Sequence, residues 1–215
     1  MITVGRKGRP FSDDDRDLLQ SLAWQATLAL EHVDLHVQVS REAITDELTG
    51  LANHGRFQDL LSGEIEQVRR YHHPLGLIML DIDNFKSIND TYGHQQGNVV
   101  LTHVARVVRD SSREADTPAR YGGEEMALVL PHTGREGSFA IAERIRSSIA
   151  DLRIPRLDRK GILRVTASLG VAASSDGEKD TLIAEADAAL YAAKREGKNR
   201  VMKAQPETAN VFGGE

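Results

Sequence analysis

The chain has 215 residues, room for one domain of ordinary size plus an appendage. It contains no cysteine, which excludes disulfides, thiolate metal sites and cysteine nucleophiles and fits a reducing, cytoplasmic setting. A net charge of −5 argues against binding a nucleic-acid polymer through bulk charge, no apolar run approaches the ~18 residues of a membrane span, and no signal-peptide core opens the chain.

Residues 1–11 carry Gly5, Gly8 and Pro10 and read as the end of something. Ser12 and the aspartates after it make a helix start, a capping hydroxyl followed by negative charge on the first turn. Leu19, Leu22, Ala26, Ala29, Val33, His36, Ser40 and Ala43 then recur at steps of three and four, and Leu30, Val37 and Ile44 at seven. With no Gly or Pro from 12 to 49, this predicts one long helix of about 30 residues whose heptad character suits pairing with a second copy. An amphipathic helix lying on its own domain is the alternative. Gly50 breaks it. A second helix is expected from Gly55 to Tyr71, with Phe57, Leu60, Leu61, Ile65 and Val68 on one face. His72-His73-Pro74 ends it, because the residue before proline leaves the helical region. The two histidines suit a helix C-terminus, where positive charge is favoured, better than a metal site.

Leu75 to Leu80 is a continuous apolar run, a central strand buried on both faces. It runs into Asp81-Ile82-Asp83-Asn84-Phe85-Lys86, where alternation puts Asp81 and Asp83 on one face; Asp83 serves equally well as a cap on the following turn. Tyr92 to Asn98 leads into a helix through Val99, Leu101, Val104, Val107 and Val108, a helix start suited to a ligand's polar edge. Ser111 to Pro118 is a polar connection. Arg120-Tyr121-Gly122-Gly123-Glu124-Glu125-Met126 follows, then the apolar Ala127 to Leu130. Two glycines between short extended runs read as a tight hairpin in which they accept positive φ. Two acids entering so apolar a strand need a partner, and a divalent cation with oxygen ligands is the simplest one. Beyond lie a loop to Gly137, a helix from Ser138 to Leu152, a loop from Pro155 to Gly161, and a strand from Leu163 to Ala173. A helix from Thr181 to Glu196 is stopped by Gly197, a short strand sits at Val201-Met202, and 205–215 is a tail. Alternating strands and helices around one hairpin give an α/β fold, a mixed central sheet with helices packed on it, plus the long N-terminal helix.

The unusual polar groups are Asp81, Asp83, Glu124 and Glu125 as anionic oxygen donors and Lys86, Lys194 and Lys198 as cations. Mg²⁺ typically takes one or two carboxylates plus substrate phosphates, and lysines supply point charges to phosphate. Lys194 and Lys198, at i and i+4, are expected on one helix face. No Ser-His-Asp arrangement and no Gly-x4-Gly-Lys-Ser loop is apparent. Metal-assisted phosphoryl or nucleotidyl transfer uses what is present. A solvated set of acids and a lysine pair facing water is the alternative.

Residues 46–203 resemble a GGDEF-family diguanylate cyclase domain. The resemblance rests on Asp46-Glu47-Leu48-Thr49-Gly50-Leu51-Ala52-Asn53, Asp81 through Asp90, Tyr92-Gly93-His94, Gly122-Gly123-Glu124-Glu125, Ser168-Leu169-Gly170-Val171 and Ala186 through Lys194. It implies a nucleotidyl-cyclase or polymerase-palm-like domain over 46–204. Residues 1–45 resemble the end of a GAF sensor domain running into a signalling coiled coil. The activity implied is condensation of two GTP into cyclic di-GMP and two pyrophosphates across a homodimer joined through the N-terminal helix. Asp81, the Ile82 carbonyl and Glu124 would hold Mg²⁺, with Mn²⁺ as its substitute, and Glu125 would complete the acidic site. Phe85 and Lys86 would meet the phosphates, with Lys194 and Lys198 on their far side. Asn89 and Asn98 would read the guanine edge. Arg113 and Asp116 match the family's inhibitory Arg-x-x-Asp site, and Arg144 sits where a second product-binding arginine is often found.

Three positions depart from the family pattern. Asn98 stands where Asp is usual, and an amide offers guanine one acceptor oxygen where a carboxylate offers two, so purine selectivity is open. Met126 replaces Phe, and Lys198 replaces Arg, keeping charge and losing the fork. The rival reading is a non-enzymatic domain that binds cyclic di-GMP or GTP and signals through its helix.

Overall fold

The computed structural model describes residues 12, 13, 15, 17–27, 44–174 and 178–205. They fall into two compact units, residues 1–44 and 45–215. In the first, residues 17–27 are helical. Its start is the expected one. Asp15 N donates to Ser12 Oγ (3.1 Å) and Ser12 N donates to Asp15 Oδ2 (3.0 Å), two otherwise unpaired donors satisfied reciprocally. Leu18, Leu22 and Trp24 are exposed. The heptad seam from Ala29 to Ala43 lies outside the described residues. The helix does not run to Gly50 as expected: Ile44 is non-helical, Thr45 bridges to Ala52, and 47–49 form a turn.

The second unit is built on a five-stranded sheet in the order β2-β3-β1-β6-β7. The strands are β1 (Leu75–Ile82), β2 (Thr117–Arg120), β3 (Glu125–Pro131), β6 (Ala167–Ser174) and β7 (Val201–Lys203), and β4 (Ile154–Pro155) with β5 (Ile162–Leu163) forms a separate ribbon. All pairings are antiparallel except β6 with β7. The mixed sheet with helices on it is therefore as read from the pattern. All eight residues of β1 are buried, because the strand is central and both faces are covered.

Alternation along β1 sorts the two cores. Ile78, Leu80 and Ile82 join the cluster formed with helices α3 (His94–Asp110) and α4 (Arg135–Ala150). Leu75, Leu77 and Met79 join the opposite cluster, with helices α1 (His54–Tyr71) and α5 (Lys179–Arg195). On β3, Ala127 and Val129 take the second face as well. Period two therefore carries Asp81 and Glu125 toward α5. Gly170 on β6 sets how close α5 comes, since a methyl group there would overlap the Ala186 carbonyl and the Leu190 backbone.

Several boundaries differ from the sequence reading. The run after Asp83 is a helix, α2 (Phe85–Tyr92), preceded by Asn84 in the left-handed region at φ 58°. The strand expected from Leu163 to Ala173 is interrupted, with β5 ending at Leu163 and β6 starting at Ala167.

Candidate active site

Two chain segments converge at one end of the sheet. Asp81 is the penultimate residue of β1, and its register partner on β3 is Glu125. Residues directly opposite in an antiparallel pair share a face, so the two carboxylates meet. Glu124 precedes Glu125 in the connection from β2. Opposite them stands Lys194, on the last turn of α5, whose Nζ lies 2.7 Å from Asp81 Oδ2. Burial, then the charge of Asp81, push the Glu125 carboxyl above its usual range. Asp187 and Glu124 add to the rise, and Lys194 pulls against it. Asp187, seven residues before Lys194, is likewise pushed up by burial of its carboxyl and pulled down by Lys194. Sequence reasoning missed Asp187 as a site residue; its spacing to Lys194 on one helix face was the available signal.

The hairpin is present, but not for the expected reason. Neither Gly122 nor Gly123 has positive φ. A Cβ at Gly122 would lie 3.2 Å from Glu125 Oε2, and one at Gly123 would meet nothing within 4 Å. Gly122 therefore leaves room for the carboxylate, and Gly123 keeps the hairpin's outer surface open to close approach. Arg120 fixes the loop from the side: its Nε and Nη2 donate to the Gly123 carbonyl at 3.2 and 2.9 Å. The same guanidinium donates through Nη1 to both oxygens of Asp46, at 3.2 and 3.0 Å. Burial raises Asp46, but bonds from the Thr49 hydroxyl and amide, with Arg120, outweigh it and leave the carboxyl below its usual range. Tyr121 packs edge-on against Phe57 and His54. Burial and the carboxylates of Asp187 and Glu125 push its phenol up.

Asp83 is not part of this group. Its carboxylate accepts from Thr166 Oγ1 and Ser168 Oγ at 2.7 Å and from Asn199 N at 3.0 Å, so it is engaged by the entry to β6 and by the turn before β7. Lys194 and Lys198 do not share a helix face, because α5 ends at Arg195 and Lys198 is left-handed at φ 64°. They still converge on the β1–α2 connection: Lys198 Nζ donates to Asn84 Oδ1 at 2.6 Å. Lys86 is exposed beside buried Phe85 on the first turn of α2, whose N-terminus has no side-chain cap. An uncapped helix start with a lysine on its first turn is an arrangement suited to an anion.

Farther along α2, Asn89 Oδ1 is buried without a hydrogen-bond partner. It abuts Gly97 on α3, where any side chain would overlap it. Asn98 is the next residue and is exposed. An orphaned acceptor beside an exposed amide is an arrangement that a ligand's N–H would complete. Arg113 is exposed, while Asp116 is buried and accepts from the Arg113 amide at 2.7 Å. No ion pair joins their side chains among the described residues. Arg144, on α4, donates to the Ser111 carbonyl at 2.8 Å, which brings it to the turn that carries Arg113.

Among the described residues, no three His, Asp or Glu side chains close around one point. One or two carboxylates, with the rest of the shell left to water and a bound ligand, is a donor set of the kind Mg²⁺ takes. The excess negative charge felt by Glu125 fits a divalent ion.

Residues 43–200 match the family described as "Diguanylate cyclase, GGDEF domain". "Diguanylate cyclase A" of Treponema denticola is 37% identical over 196 residues, covering 89% of this chain and 51% of that protein, so the chain spans about half of that relative's length. The GGDEF domain of DgcB from Caulobacter crescentus, solved in complex with c-di-GMP, superposes with a TM-score of 0.74 at 37% identity, covering 76% of this chain and 97% of that one. A structure of the coiled coil and GGDEF domain of DgcB, also with c-di-GMP, gives 0.73 at 35% identity over 86% of this chain and 99% of that one.

Proposed function

This chain belongs to the GGDEF domain family of diguanylate cyclases, and from that premise we propose that it condenses two GTP into cyclic di-GMP and two pyrophosphates. The observation that carries the proposal is the facing pair Asp81 and Glu125 beneath Lys194 at one end of the sheet.

Each domain holds one GTP, and two domains face each other. Each 3′-oxygen bonds to the partner's α-phosphorus as the bond to pyrophosphate breaks. The raised Glu125 carboxyl is suited to take the 3′-hydroxyl proton, since a base works best when its pKa approaches the working pH. The amides opening α2, with Lys86, Lys194 and Lys198, hold the triphosphate, and Phe85 seats that turn. Asp81, the Ile82 carbonyl and Glu124 would hold Mg²⁺, or Mn²⁺ in its place, which would supply neutralisation of phosphate charge. Asn89 and Asn98 face the base. The protein's work is placement and charge neutralisation.

Residues 1–45 serve as the end of a GAF-like sensor and a dimerising helix, which the exposed Leu18, Leu22 and Trp24 support. The cyclase domain is 46–204, and the setting is cytoplasmic; no described helix is long and apolar enough to cross a membrane. Arg113, Asp116 and Arg144 bind product and inhibit. Cyclic di-GMP should inhibit the wild type more strongly than Arg113→Ala, and superimposable inhibition curves would remove that site.

Incubation with GTP and Mg²⁺, with nucleotides resolved chromatographically, should yield cyclic di-GMP from the wild type and none from Asp81→Asn or Glu125→Gln. No dinucleotide product, or undiminished turnover in either variant, overturns the proposal. A second reading, altered purine selectivity, is favoured by the exposed Asn98 amide, one residue after the Gly97 that abuts the orphaned Asn89 oxygen. Parallel incubations with ATP, and with GTP plus ATP, decide it through mixed or adenine-containing products.

A further inference from the structure

With the metal-dependent reading above as its basis, we infer that Lys194 makes cation binding conditional on nucleotide: its ammonium group stands on Asp81 and leaves only when a triphosphate is there to receive it.

The geometry is direct. Lys194 Nζ sits 2.7 Å from Asp81 Oδ2, and the two side chains are 33% and 12% exposed. A pair this sheltered is screened less than a surface ion pair, so it is not an idle crystallographic-style contact. Asp81 is also a proposed ligand of the cation, so the ammonium and a divalent ion compete for one carboxylate. Lys194 is the cation felt by both Glu125 and Asp187 as well, so this single positive charge serves a group of acids. Removing it without replacement would leave those carboxylates facing one another.

A metal ion arriving alone has two poor options. It can share Asp81 with an ammonium a few ångströms away, or displace that ammonium from the carboxylate it pairs with most closely. A bound triphosphate reverses both terms, because Lys194 then gains a phosphate partner while the ion gains phosphate oxygens. Linkage makes the effect reciprocal: nucleotide raises affinity for the ion, and the ion raises affinity for nucleotide by the same factor. Lys198 provides the contrast. Its partner is the neutral oxygen of Asn84, so it competes with no cation for a carboxylate.

The test is Mn²⁺ binding to the whole chain, read by electron paramagnetic resonance with and without 3′-deoxy-GTP, which fills the site but cannot cyclise. Wild type should bind Mn²⁺ weakly alone and much more tightly with the nucleotide. Lys194→Met should bind Mn²⁺ alone at least ~10-fold more tightly than wild type, since a neighbouring positive charge has been removed. Its gain from nucleotide should shrink accordingly. Lys194→Gln, which keeps a donor but no charge, should behave likewise and covers the case in which the methionine variant fails to fold. Lys203→Met, whose ammonium pairs with Glu136, should leave nucleotide-free affinity within about two-fold of wild type. Unchanged nucleotide-free affinity in both Lys194 variants overturns this inference alone. Absence of Mn²⁺ binding to wild type even with nucleotide overturns the metal-dependent reading together with it.

Discussion

Glu125 is held at a cost that the fold pays and the site uses. Its carboxyl is raised by burial and by Asp81, so over the interval between the ordinary carboxylate value and its folded one the native state holds more protons than the unfolded chain. Stability therefore falls as pH rises through that interval, the reverse of an ion-paired acid. Glu125→Gln should raise the thermal midpoint at pH 7, raise it less or not at all near pH 4, and abolish turnover. Differential scanning calorimetry in metal-free buffer checks this, and an equal shift at both pH values would count against it. Local chemistry of this kind was readable in part. Glu124 and Glu125 entering one apolar strand, and Asp81 at the end of another, announced a shared acidic site. The same alternation assigned Asp83 to their company, and no pattern in the chain could reveal that Thr166, Ser168 and Asn199 consume its oxygens from distant segments.

The elements behave according to how closely they must approach. Gly170 lets α5 lie against the β6 backbone, and Lys194 rides on that helix. Gly170→Ala should cost ~1–3 kcal/mol or more, since overpacking against backbone cannot be relieved by a rotamer change. It should also weaken nucleotide binding by displacing the lysine. Gly123→Ala is the counterpart: with open space around the added methyl, stability should stay within ~0.5 kcal/mol while GTP turnover falls. Urea unfolding and turnover, measured on both variants, separate packing from chemistry. The central strand was legible because burial on both faces leaves an unbroken apolar run. Helix α2 was not, because its start depends on Asn84 taking a left-handed conformation that no periodicity announces. Lys194 and Lys198 were misplaced on one helix face for a related reason: the chain leaves the helix between them and turns both toward the same loop by another route.

As a whole molecule, the chain divides at residue 44, and the second unit contains the entire sheet with a core on each face. Residues 45–215 alone should therefore unfold in one transition with little loss of stability. Their specific activity should be low when dilute and climb with protein concentration, because two half-sites must meet without the N-terminal helix. Sedimentation and activity across a concentration series check this; concentration-independent activity would remove the dimer from the account. Arg120 gives the architecture a further property. One guanidinium grips the Asp46 carboxylate at the start of the second unit and the Gly123 carbonyl at the hairpin tip. The first residues of the unit and the hairpin are thereby joined through a single rigid plane, bypassing the hydrophobic interior.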